Sequence, residues 1–211
     1  SSAGVTPTRL SVDALRLYWT NNAATGDIRA ANLSGRGTVS IIVSNQSYPW
    51  AVHASRDFIL WTTGMQSSDD YSSADPKVFM MNKTMIGTPN PTIVDLTATI
   101  SPAPTTAPRS LGVVMRPSAT MNEGTVVWPE RFNAKVDVHE IGAGTTTRTF
   151  SPGFATSIAI LEGHVYVGGT GATALFDIDL DTPTAPAVAA VTPPIWILRC
   201  ALPSRRSSPR F

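Results

Sequence analysis

Leu17-Tyr18-Trp19-Thr20-Asn21 is the stretch on which the fold turns. Leu10 and Val12 precede it across a polar turn at Asp13 to Arg16. A loop ending at Gly26 follows, then Asp27-Ile28-Arg29-Ala30-Ala31-Asn32-Leu33, closed by Gly35. Short alternating segments broken by turn residues predict successive antiparallel strands.

The phrase recurs three more times. Pro49-Trp50-Ala51-Val52 leads over a turn at Ser55 to Asp57 into Phe58-Ile59-Leu60-Trp61-Thr62-Thr63, and Lys77 to Asn82 resumes after a polar insert. A third copy runs through Leu111 to Met115, Thr125-Val126-Val127-Trp128-Pro129 and Ala134 to His139. The fourth, without tryptophan, reads Ser157 to Ile160, His164-Val165-Tyr166-Val167-Gly168 and Ala174 to Leu180. With Trp19, Trp61, Trp128 and Val167 taken as equivalent, the spacings are 42 residues (19 to 61), 67 (61 to 128) and 39 (128 to 167). A propeller blade takes about 40 to 45. The long middle interval is filled by inserts at Ser67 to Pro76 and Ala98 to Pro108 and by a longer turn around Ser118 to Gly124. The expectation is an all-β chain, a β-propeller of about four blades at 8–47, 48–97, 108–150 and 153–180. A blade cannot bury both faces of its small sheet alone, so the recurring Trp is expected between successive sheets.

Leu17-Tyr18-Trp19-Thr20-Asn21 resembles the Tyr-Trp-Thr-Asp repeat of low-density-lipoprotein-receptor-type propellers, and Gly26-Asp27-Ile28 and Leu33-Ser34-Gly35 also fit it. The match is specific in the first unit. Leu60 to Thr63, Val127 to Glu130 and Tyr166 to Gly169 keep part of it, a looser form shared by related bacterial propeller repeats. The resemblance covers about residues 8 to 180 and implies a propeller fold; it carries over no catalytic residue.

Composition agrees. Turn and strand formers abound, and Pro is spread from Pro7 to Pro209, so any helices are expected to be short. The net charge of +1 hides an asymmetry, because Arg199, Arg205, Arg206 and Arg210 follow the last acidic residue, Asp181. Without those four arginines the body carries 12 basic against 15 acidic residues. That balance argues against a nucleic-acid footprint, which needs a basic face. Cys200 has no second thiol to pair with, and no apolar run reaches the roughly 18 residues of a membrane span. Residues 181–194, rich in Pro, Ala and Thr, are expected to be a linker. Residues 195–211 are expected to form one short strand, Ile195 to Leu198, and a disordered basic tail. The start at Ser1 without Met and the abrupt tail lean toward an arc of a larger propeller over a closed small ring, and an arc is expected to self-associate through its open sheet edges.

Several residues invite a functional reading. Asp177, Asp179 and Asp181 share a strand face that could present three carboxylates to a hard cation, though a solvated face on an outer strand is the plainer expectation. Asp137 and His139 share another, the minimum for a general base with its orienter or for two metal ligands; a structural or surface role is expected. His53 and His164, near strand-turn junctions of different units, could converge on a central channel. Asp69-Asp70 beside Tyr71 is expected to be a solvated loop tip. Gly168-Gly169-Thr170-Gly171 opens no helix that could hold a phosphate. Asn32, Asn45 and Asn82 lie in glycosylation sequons that a chain rich in Ser and Thr produces by chance.

No catalytic, cofactor-binding or metal-binding residue is assigned. Two functions are carried forward. One is a non-catalytic binding or interaction module, extracellular or periplasmic, that uses loops such as Ser67 to Pro76 to hold a protein or glycan. The other is a metal-dependent hydrolase or lactonase of propeller fold with a central cation held by carboxylates and Asn.

Overall fold

The structure is a computed structural model that describes residues 7–35, 37–65 and 76–99, and beyond them the strands 112–114, 124–130, 135–141, 147–150, 157–161, 164–168, 175–179 and 188–191. The described strands form four separate sheets, each of four antiparallel strands that neighbour one another in chain order. The first sheet holds β1 (Pro7–Val12), β2 (Arg16–Asn21), β3 (Gly26–Asn32) and β4 (Ser40–Gln46). The second holds β5 (Val52–Ala54), β6 (Phe58–Thr63), β7 (Lys77–Asn82) and β8 (Ile93–Asp95). In the third are β9 (Gly112–Val114), β10 (Gly124–Glu130), β11 (Lys135–Ile141) and β12 (Thr147–Phe150). The fourth has β13 (Ser157–Leu161), β14 (His164–Gly168), β15 (Leu175–Asp179) and β16 (Val188–Val191). Two single-turn 3-10 helices, Lys83–Met85 and Leu96–Thr99, are the helices among the described residues, and neither is long enough to cross a membrane.

Local chemistry makes the tight turns. Asp13 Oδ1 accepts from the N–H groups of Leu15 and Arg16, both at 2.8 Å, and so closes the β1–β2 turn. Ser55 does the same work before β6, its N–H donating to the Phe58 carbonyl at 3.0 Å. Gly26 is needed where β3 begins, because an added Cβ would stand 2.2 Å from the Asn21 carbonyl oxygen.

Three buried clusters join consecutive sheets. Tyr18, Ile28 and Ala30 of the first sheet meet Val52, Ile59, Trp61 and Met81 of the second. On its other face the second sheet places Phe58, Leu60, Val78 and Met80 against Val126 and Trp128 of the third. The third sheet in turn sets Val127, Val136 and Val138 against Val165, Val167 and Ile178 of the fourth. Because side chains alternate across a strand, neighbours on β6 belong to different clusters, and all six of its residues are buried.

This arrangement corrects two expectations. Trp61 and Trp128, both 0% exposed, do lie between sheets. Trp19 does not: it faces away from the second sheet and is partly exposed, with no sheet against it among the described residues, and Tyr18 fills the first seam instead. The stretch 181–194 is also more than a linker. Val188 to Val191 pair with β15 as a fourth strand, using a short Val and Ala run that tolerates extended backbone. Among the described residues, no buried cluster joins the fourth sheet to the first. Ile195 to Leu198 and the basic tail lie outside the described residues.

Candidate functional site

A polar network crosses the seam between the first two sheets. Lys83, the first residue of the 3-10 helix after β7, reaches across to Asp13, its Nζ 2.5 Å from Oδ2, and also donates to the Ser55 carbonyl. Its ammonium stands 5.4 Å from the centre of the Tyr18 ring, while the Tyr18 hydroxyl donates to the same Asp13 Oδ2 at 2.9 Å. Burial alone would raise the Asp13 pKa. The Lys83 ammonium, the Leu15 and Arg16 N–H groups and the Tyr18 hydroxyl outweigh it and hold the carboxyl well below the usual carboxylate range. Burial, then the Asp13 hydrogen bond, pushes the Tyr18 phenol up to about 12. His53 is shifted below its ordinary value, by burial first and then by the Lys83 charge. A carboxylate held ionised by a cation and three further donors is a clamp between turns of adjacent sheets, with its accepting capacity already committed.

The residues singled out in the sequence fall in scattered places. Asp137 and His139 do share a face of β11, opposite Trp128 and Val126, but they are 0% and 4% exposed, so a surface role is excluded. Both faces of the third sheet are covered, which puts even its polar alternation inside. The His139 ring lies 6.3 Å from that of Trp128. Asp177 and Asp179 lie on β15, an inner strand and not the outer one, and Asp177 Oδ1 sits 2.9 Å from His164 Nδ1. His164 therefore engages its own sheet, and His53 belongs to the second, with the third between them. Among the described residues, no three His, Cys, Asp or Glu gather as metal ligands would. Asn82 caps the helix that follows it, its side-chain oxygen accepting from Thr84 N at 2.9 Å, whereas Asn32 and Asn45 are exposed. Asp69, Asp70, Tyr71, Asp181, the loop 169–171 and the arginines from 199 onward lie outside the described residues.

Two surface features escaped the sequence reading. The first is the outer face of the first sheet, where Leu10, Trp19, Arg29 and Ile41 stand opposite one another across four strands, and Val12 stands opposite Leu17. Leu10, Val12 and Ile41 are 65%, 58% and 57% exposed. Arg29 is held there by Asp27, with Nε to Oδ1 at 2.8 Å. That Leu and Ile line a strand is visible in sequence; that nothing covers them is not. The second feature is a groove of about 380 Å³ between β4 and the segment entering β8, lined by residues 41–44 and 88–91 with Ile93. β4 and β8 are the outermost strands of their sheets.

No protein-family model matches the chain, and no curated protein matches its sequence. Solved structures do. The computationally designed Ika4 protein superposes with a TM-score of 0.56 at 15% identity, over 85% of this chain and 94% of that one. A catalytically inactive H270A virginiamycin B lyase from Staphylococcus aureus, solved with quinupristin, gives 0.57 at 14% identity, over 86% of this chain. The chain spans 55% of that lyase's length. At such identities the likeness concerns the fold alone. Together with four sheets packed face to face, it defines a propeller-like all-β fold.

Proposed function

We propose that the chain is a non-catalytic binding module in which the four sheets are propeller blades, and that it seats an extended protein segment in the groove between β4 and β8. The observation that carries this reading is the groove itself, whose volume of about 380 Å³ falls in the range of roughly 300 to 1,000 Å³ typical of ligand sites. Its walls end in strand edges. An added strand could hydrogen-bond along such an edge, while Ile41 and Ile93, both exposed, offer apolar sockets for alternate side chains.

Selection from a displayed library of unstructured peptides tests the reading. Peptides with alternating apolar residues are the expected binders. Ile93→Lys should weaken them about tenfold, and Asn90→Trp, which fills the groove, should remove binding. Peptides that bind the Asn90→Trp variant as well as the parent would place recognition elsewhere.

A further inference from the structure

Every internal seam of this molecule is built by one rule. The residue at the Trp position of a sheet packs on the preceding sheet, and the residue before it packs on the following sheet. Trp61, Trp128 and Val167 obey the first half and are at most 1% exposed. Tyr18, Leu60 and Val127 obey the second and are equally buried. At the two ends of the stack the rule is left unfilled. Trp19 waits on the outer face of the first sheet and Tyr166 on the outer face of the fourth, both partly exposed. The two ends are thus the two halves of the interface that the chain already forms three times within itself.

We infer that a second copy of this chain completes them, the Trp19 face of each copy covering the Tyr166 face of the other. The inference goes beyond the groove and its peptide and rests only on the packing of the sheets. The contact is head-to-tail: two different surfaces meet. A pair that closes on itself makes two identical seams and leaves no end exposed. The size suffices. Four strands about 4.8 Å apart, of six to seven residues in the first sheet and four to five in the fourth at about 3.3 Å each, give faces of ~400 and ~300 Å², so the four faces of two seams bury roughly 1,400 Å², within the range of a stable protein interface. Leu10 and Val12, exposed side by side with Trp19 and Leu17 opposite them, also form an apolar patch of the kind that a partner covers.

Sedimentation velocity on the whole chain, from nanomolar to tens of micromolar, reads the outcome. A monomer–dimer equilibrium is expected. Trp19→Asp on one end and Tyr166→Arg on the other should each weaken it by at least about 30-fold. Should Trp19→Asp perturb folding, Leu10→Lys with Val12→Lys alters the same face at side chains already in water and outside the groove, and circular dichroism checks that each variant is folded. Mixing the Trp19→Asp and Tyr166→Arg variants should then restore dimer, because the mixed pair regains one intact seam and gathers both substitutions in the other. A chain that stays monomeric throughout, a dimer indifferent to Tyr166→Arg, or open-ended oligomers in place of a closed pair would each overturn the proposal. Peptide binding by the monomeric variants separates this failure from failure of the groove.

Discussion

Truncating Trp61 and Trp19 to alanine should cost very different amounts, although the two residues hold the same place in their sheets. Trp61 is 0% exposed, its ring stacks on Phe79 at 5.6 Å, and its Nε1 donates to Gln46 Oε1 at 2.8 Å. Removing about 150 Å² of buried surface at about 25 cal/mol per Å² gives ~4 kcal/mol. The lost hydrogen bond adds a fraction of a kcal/mol, since the half-buried Gln46 can turn toward water. The sum sits at the upper end of the 3 to 5 kcal/mol seen for such truncations. Trp19 has no facing sheet among the described residues, and its row-mates Leu10 and Ile41 are already exposed, so no closed cavity forms; a loss of ~1.5 kcal/mol is expected. Urea unfolding followed by far-ultraviolet circular dichroism, at concentrations low enough to keep the chain monomeric, measures both. A difference below about 1 kcal/mol between the two variants would refute the account of the seams.

Three further outcomes follow from the clamp, His53 and the start of β3. Asp13→Asn should cost about 2 to 3 kcal/mol near neutral pH, because it strands a mostly buried Lys83. Asp13 is depressed in the folded state, so its contribution is fully present above the ordinary carboxylate pKa of about 3.9 and fades as pH falls toward the folded value; the gap between wild type and Asp13→Asn, measured by urea titration, should narrow below about pH 4. His53 is shifted down in the folded state, so the unfolded chain binds more protons below about pH 6.5, and stability should fall as pH drops from there; His53→Leu should flatten that slope in melting curves. Gly26→Ala drives a Cβ into the Asn21 carbonyl and Pro49, and should lower stability by about 3 kcal/mol in the same assay.

The second and third strands of each sheet were legible in the sequence, because their alternation and aromatic content are local properties, whereas β5 begins at Val52, where the expected segment Pro49 to Val52 ends. Phe58 to Thr63 and Lys77 to Asn82 match β6 and β7 residue for residue. The fourth strands were not. β8 has three residues, β16 lies among prolines, and β4 carries a bulge that lets Ile42 and Val43 both point inward, which destroys the period of two. Coverage was equally hidden. Asp137 and His139 alternate with valines as they would on a solvated face, yet in a sheet covered on both sides the alternation no longer distinguishes inside from outside. The Lys83–Asp13 clamp joins residues 70 positions apart, with no local signature at either end. The groove between β4 and β8 likewise exists only once two sheets are placed side by side.

In β6, every position from Phe58 to Thr63 is enclosed, so this strand cannot read its alignment from oil against water as an ordinary half-wet strand does. A slip by one place would set Trp61 in the socket of Leu60 and Leu60 in that of Ile59 without wetting either. What forbids the slip is fit: the indole has Phe79 to lie on and Gln46 to bond, and the opposite socket is moulded to a leucine. Substitutions that keep greasiness but change outline, such as Leu60→Trp, therefore threaten the alignment of the central sheet more than many exposed polar replacements would.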